Sequence, residues 1–317
     1  MDPMLSSKTT SFVMRLVGVP VRWTWKHLPP TVLSTPPFRS LGKKIHATVS
    51  RRDRHLIGGY CHCHFTRFFR NVPLLEVLRD LAIQTAANGS FSVASIGCST
   101  GAELYSLLWL IRCVQPDLEI KAWGVDLSET VIAKARAGVF SSTDEELAYL
   151  SATEVAALFD REGETLSIKP FLRRGVTWLA ADALDPALPR MLEPQDLVLA
   201  NNFLGPFMEA EAENCLRNLA RIVKPNGYLV LFGADLDLRT RWVKCQGYLP
   251  LTERIEAVHT GDRVMLDWPW TRWGLEPLDK KRADWQTRYA VVFQVPAPQI
   301  PPADSSGNRT PVIPLKS

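Results

Sequence analysis

The 317-residue chain contains no run of about 18 apolar residues, so no membrane-crossing helix is expected. No secretory leader is expected: "SFVMRLVGVPVRW" is broken by Arg15 and Pro20 and has no clean apolar core. Its six cysteines show no even spacing, which excludes a disulfide framework and points to reduced thiols in the cytoplasm. Negative charge is nearly missing from one end. Residues 1–55 carry ten Lys/Arg against only Asp2 and Asp53. Such an arm reads as a solvated extension, open to an acidic protein, an anionic surface or nucleic acid. No recognisable RNA-binding module accompanies it, so a nucleic-acid acceptor has no support beyond charge. The G-x-G-x-x-G pyrophosphate fingerprint is absent too, which counts against a dinucleotide-dependent dehydrogenase.

What is present is a core-forming middle. The composition is 46% hydrophobic, ordinary for a globular protein. Three stretches are expected: an irregular basic extension over 1–60, one domain over 61–296, and a Pro/Ser-rich tail over 297–317. Within the domain, "VPLLEVLRDLAIQTA" has helical spacing, "FSVASI" is a strand, and "ELYSLLWLIRCV" is a helix buried on most of its surface. "LEIKAWGVDLS" reads as strand then turn, and "ETVIAKARAG" as a helix closed by Gly138. Short helices are expected over 144–160. Further strands fall at "GVTWLAAD", "DLVLANN" and "GYLVLFGAD", with a helix at "EAEAENCLRNLARIV". "EAVHTGDRV" looks like a hairpin, residues 239–285 look irregular, and "TRYAVVFQV" is a last strand. Strands alternating with helices predict an α/β fold: a mostly parallel, doubly wound, Rossmann-like sheet with a C-terminal antiparallel strand and a Trp-rich insertion.

"SIGCSTGAELYS" supports two machines. Gly97 to Gly101 spells G-x-S-x-G, a nucleophile elbow that would make Ser99 a nucleophile. The same turn, between strand and helix, suits a cofactor cradle. A hydrolase needs a later histidine, and only His259 follows Ser99. For the cradle, Asp126 lies 25 residues beyond Gly101 at the end of the second strand, where a carboxylate can accept two ribose hydroxyls. Asp182 follows the third strand, where adenine edges are read. The G-x-x-x-G spacing suits a donor without pyrophosphate, such as S-adenosylmethionine.

From about Thr66 to Asp235 the chain resembles the chemotaxis-receptor glutamate methyltransferases, the CheR type. "TRFFRN" is similar to that family's T-x-F-F-R, and "SIGCSTGAELYSL" to its S-x-G-C-S-T-G-E-E-P-Y-S-L. "VDLSETVIAKARAGVF", "QDLVLANN" and "LARIVKPNGYLVLFGAD" are similar to its later strand ends. The resemblance implies a class I methyltransferase that takes S-adenosylmethionine and methylates a protein glutamate carboxylate. It places Thr66 and Arg70 near the methionine end and the acceptor. It makes Gly97, Ser99 and Gly101 the loop, and sets Glu103 near the cofactor's amino group. Asp126 would hold the ribose, Asp182 and Ala183 would flank adenine, and Asn201 and Asn202 would line the pocket.

The chain departs from that pattern at several points. His64 replaces an asparagine, Ala102 a glutamate, Asn201 an arginine, and Pro206 a tyrosine. His64 therefore stands beside Arg70 as a candidate catalytic residue, a base should the acceptor be a hydroxyl or amine. The acceptor is expected to be a protein carboxylate or a small molecule. A non-catalytic, cofactor-binding adaptor stays open as an alternative, as does the hydrolase. "CHCH" at Cys61 to His64 sends its thiols and imidazoles to opposite faces of an extended chain, so no metal site is expected. Trp268, Trp270, Trp273 and Trp285 suit an aromatic lid, a stacking surface for bases or a satellite hydrophobic cluster, and Arg272, Lys280, Lys281 and Arg282 keep a nucleic-acid acceptor open there, without a recognisable RNA-binding module.

Overall fold

A computed structural model describes residues 66–86, 89–205, 207–262 and 278–297. The expected extension over 1–60, Cys61 to His64, Pro206, Trp268, Trp270, Trp273 and Arg272 lie outside the described residues, as does the tail beyond Ala297.

The chain enters through α1 (Val72–Thr85). Pro73 needs no amide partner in its first turn, and the Asn71 side chain caps it by accepting from Leu74 N at 3.2 Å. Then follow β1 (Ser90–Ile96), α2 (Ala102–Val114), β2 (Glu119–Asp126) and α3 (Glu129–Ala137). α3 ends at Gly138 in the left-handed conformation. A three-stranded antiparallel sheet, ordered β3-β5-β4, is inserted next: β3 (Val139–Ser141), β4 (Phe159–Glu162) and β5 (Thr165–Ile168), with α4 (Ala152–Leu158) between the first two. The main path resumes with α5 (Pro170–Arg173), β6 (Val176–Ala180), α6 (Leu188–Met191), β7 (Gln195–Leu199), α7 (Glu209–Ile222) and β8 (Val223–Val230). α8 (Leu236–Cys245), β9 (Leu249–Pro250), α9 (Ile255–Thr260), α10 (Trp285–Tyr289) and β10 (Val292–Gln294) complete it.

The main sheet runs β6-β2-β1-β7-β8-β10-β9. The first five strands are parallel, and β10 is antiparallel to both its neighbours. Both faces are covered, so the central strands read as nearly unbroken apolar runs. Phe91 and Val93 of β1 point into a core with α1, α2 and the small sheet. Ala94 and Ile96 point into a second core with α7 and α8. β1 lies between β2 and β7, where strand order reverses. The reversal falls between β1 and β7, and in such sheets ligands bind in the crevice outside the carboxyl ends of the two strands.

Three stretches differ from their sequence reading. "EAVHTGDRV" begins as α9, not a hairpin, because Ile255 and Val258 share a helical face and both are buried. "TRYAVVFQV" is the end of α10 followed by a three-residue strand. Within 239–285, where irregular chain was expected, residues 239–260 are mostly helical. The small sheet was not foreseen, because strands of three or four residues carry little period-2 signal. Among the described residues no helix is long and apolar enough to cross a membrane.

Leu219 of α7 is fully buried against the sheet. Leu219→Ala is expected to lower unfolding free energy by about 2–5 kcal/mol. Denaturant titration measures this, and exposed Glu119→Ala should stay within about 0.5 kcal/mol of wild type.

Candidate functional site

The loop after β1 turns sharply and is pinned to β2. Gly97 N and Cys98 N both donate to Val125 O, at 2.8 and 3.0 Å. Gly97 and Gly101 have φ of +71° and +80°, a region side chains rarely enter. Space excludes a side chain as well: a Cβ on Gly97 would lie 2.7 Å from the Phe203 ring, and one on Gly101 2.4 Å from Trp178. Gly101 also starts α2, so the free amides of that helix begin at the crevice.

Asp126, at the end of β2, braces this loop. Its Oδ2 accepts from Ser99 N at 2.8 Å and its Oδ1 from Ser128 N at 3.1 Å. Each oxygen keeps a further lone pair, so the carboxylate can still accept two hydroxyls. Ser99 has φ +51°, a strain that an elbow would also show. The side chain decides the matter. Ser99 Oγ is buried with no hydrogen-bond partner among the described residues. His259 sits on α9 with its ring edge-on to Tyr289, centroids 5.6 Å apart. The serine-hydrolase alternative therefore has no base at its nucleophile among the described residues. Cys98 is no nucleophile either: burial first, then nearby Asp126, hold its thiol well above the ordinary value.

On the other side of β1, the switch point is bridged. Asn201, just past β7, donates from Nδ2 to Glu103 Oε1 at 2.9 Å, and its Oδ1 accepts from Phe232 N at 3.1 Å. Asn202 follows with φ +60°, its amide donating to Phe232 O at 2.8 Å. Glu103 is half-buried, and its carboxyl is pushed up from the ordinary value of 4.5, first by desolvation. The Asn201 hydrogen bond and the charge of Arg70 oppose that shift, and Asp262 adds to it. Arg70 is itself committed to Asp262, its Nε donating to Oδ1 and Oδ2 at 3.2 and 3.0 Å. Asp262, with its side chain 1% exposed, had not been singled out in the sequence. Its only signal there is a Gly-Asp pair 192 residues away from Arg70.

Of the other expected site residues, Thr66 is half-buried at the start of the described chain. Asp182 turns its Oδ1 to Leu184 N at 2.8 Å, and Ala183 O accepts from Asn218 Nδ2 at 2.9 Å. These two shape the turn after β6. His64 lies outside the described residues.

The charge pattern limits what can bind. Two carboxylates, Asp126 and Glu103, flank the loop, and the Arg70 charge that reaches Glu103 is largely answered by Asp262. A pyrophosphate would be repelled. A ligand with a ribose at one end and a cation at the other fits, and S-adenosylmethionine has both. The unsatisfied Ser99 Oγ offers one further polar contact in the same cradle.

The model of the family described as CheR methyltransferase, SAM binding domain, matches residues 64–244, more than half of the chain. The chain belongs to the CheR methyltransferase family. All the expected site residues from His64 to Asn202 fall inside the match to its S-adenosylmethionine-binding domain. Among similar proteins, an uncharacterized 104.1 kDa protein in the hypE 3′ region of Rhodobacter capsulatus is 32% identical over 223 residues, covering 62% of this chain and 23% of that one. The probable biofilm formation methyltransferase WspC of Pseudomonas aeruginosa is 26% identical over 181 residues, covering 55% and 42%. A chemotaxis protein methyltransferase of Borreliella burgdorferi is 21% identical over 178 residues, covering 54% and 62%. The chain thus spans less than two thirds of the length of each. An O-methyltransferase family protein from Burkholderia thailandensis covers 62% of this chain and 41% of its own, at 17% identity and a TM-score of 0.33, a likeness too slight to carry an argument.

The raised Glu103 carboxyl gives a pH test with a definite sign. A carboxyl whose folded pKa is raised destabilises the folded protein when ionised. Stability is therefore lost as pH rises from the ordinary value through the raised one. Glu103→Gln removes that loss. Thermal unfolding of the ligand-free protein should show the variant gaining on wild type between pH 4.5 and neutrality, and a gap that does not change with pH would contradict it.

Proposed function

We propose that the chain transfers the methyl group of S-adenosylmethionine to a carboxylate on a protein, a glutamate side chain. The observation that carries this reading is the pair of carboxylates across β1. Asp126 braces the glycine loop on the β2 side, and Glu103 is held by Asn201 on the β7 side. In this reading Asp126 takes the ribose diol, and Glu103 takes the ammonium of the amino-acid end. Ser99 Oγ contributes a polar contact to the same end, and the turn at Asp182 and Ala183 borders the adenine. When bound, the cofactor supplies an electrophilic methyl on a positively charged sulfur.

The protein's own task is then placement. An in-line displacement needs the acceptor oxygen about 3 Å from the methyl carbon, and fixing that geometry supplies much of the rate. A carboxylate with a pKa near 4.3 is already ionised at neutral pH, so it needs no base. This agrees with a site whose charged side chain on the acceptor side is Arg70, a residue suited to hold a carboxylate. Asp262 anchors that arginine through Nε. The names of the relatives, which include chemotaxis protein methyltransferases, support a protein acceptor.

Calorimetric titration with S-adenosylhomocysteine should give saturable binding to wild type. Asp126→Ala should lose about 100-fold in affinity, the worth of two charge-assisted hydrogen bonds. Incubation with methyl-labelled donor and a glutamate-rich acceptor protein should yield label that mild base releases as methanol. Base-stable label would place the methyl on a group other than a carboxylate and overturn the assignment.

A further inference from the structure

The turn between β3 and α4, residues 144–149, has no part in the chemistry above, yet it grips both halves of the site. Glu146 is its centre. Its Oε1 accepts from Thr100 Oγ1 at 3.1 Å, in the glycine loop, and from Lys134 Nζ at 2.9 Å on α3. Its backbone carbonyl accepts from Phe68 N at 3.0 Å, in the Thr66–Arg70 segment. Neighbouring contacts repeat the pattern. Arg67 bonds to Glu145 O and stacks 5.0 Å over the Tyr149 ring, while Asp144 holds Lys134 at 2.8 Å. The side chain of Glu146 is 12% exposed, and Thr100 is buried, so these bonds are little diluted by water.

The segment so gripped is strained. Phe69 has φ +48°, rare for an aromatic residue. Successive residues are pinned by different elements: Phe68 by Glu146, Phe69 N by Ser106 Oγ at 3.0 Å, and Arg70 by Asp262. The Phe68 ring sits edge-on to Phe140 and Phe159 of the small sheet, at 5.3 and 5.1 Å. Strain of this kind persists only where the surroundings over-determine the backbone.

We propose that Glu146 is a positioning residue that ties the glycine loop to the Thr66–Arg70 segment, so that cofactor cradle and acceptor-side arginine hold one fixed spacing. It acts through Thr100 and Phe68 and touches neither ligand. Its effect on cofactor affinity rests on the function proposed above, but its effect on the ligand-free backbone does not.

The test uses Glu146→Ala, Thr100→Val and the double variant in the full chain. Asp144→Asn serves as control, since it loosens Lys134 without reaching the loop. Hydrogen exchange of the ligand-free protein should speed at Phe68–Arg70 in Thr100→Val, and at 97–101 as well as 68–70 in Glu146→Ala. The control should leave both stretches near wild type. S-adenosylhomocysteine affinity should fall about five- to tenfold in each single variant and no further in the double, because both remove one hydrogen bond. A melting temperature lowered alike in all variants, with exchange at both stretches and affinity unchanged, would overturn the proposal and leave Glu146 a structural residue. If wild type binds no S-adenosylhomocysteine, the cofactor reading falls, and the exchange pattern alone decides the tie.

Discussion

The hydrogen bond from Asn201 to Glu103 crosses the one place where the order of the sheet reverses, and the rest of the site is arranged around it. Its donor is just past β7, its acceptor is in the first turn of α2, and the same amide oxygen holds the end of β8 through Phe232 N. Three elements are thereby fixed by one neutral side chain. A cation at Asn201 would supply a charge partner inside the protein for Glu103. A neutral amide holds the carboxylate in place while leaving its charge for a ligand. Where the family has an arginine, Asn201 still orients Glu103, with the charge left unanswered.

The glycine loop depends on the same economy of space. Phe203 and Trp178 occupy the volumes that side chains at 97 and 101 would need, so the turn is tight because large rings press on it from both sides. Asp126 then closes the loop from β2 by its bond to Ser99 N. That contact uses only part of the carboxylate's acceptor capacity, so Asp126 can brace the backbone and still serve the ribose diol of the proposed function. It also explains why Ser99 is held in a strained conformation without being a nucleophile.

Much of this was legible in the sequence, and for identifiable reasons. Strands β1 and β7 are buried for most of their length and so read as apolar runs, while β2 alternates before its buried end. Gly97, Gly101 and Asp126 announce themselves because a turn, a close approach and a strand-end carboxylate each demand a particular residue type. What stayed hidden is long-range. Asp262 meets Arg70 across 192 positions, and Glu146 joins a loop 46 residues before it to a segment still further upstream. Neither has a local signature, since an acidic residue in a polar stretch looks solvated until the fold brings its partners. The small sheet was missed because its strands are too short for a pattern. α9 was misread because a Gly-Asp pair outweighed the spacing of Ile255 and Val258.

The central claim is that the carboxylate held at the switch point receives a cation from the ligand. It is tested most directly by comparing S-adenosylhomocysteine with its analogue lacking the amino group, against wild type and Glu103→Gln. Removing the amino group should weaken binding to wild type by about tenfold or more, the worth of one charge-assisted hydrogen bond, and should cost the variant little. Equal losses in both proteins would show that Glu103 does not meet the ammonium, and the charge-based account of this site would fail.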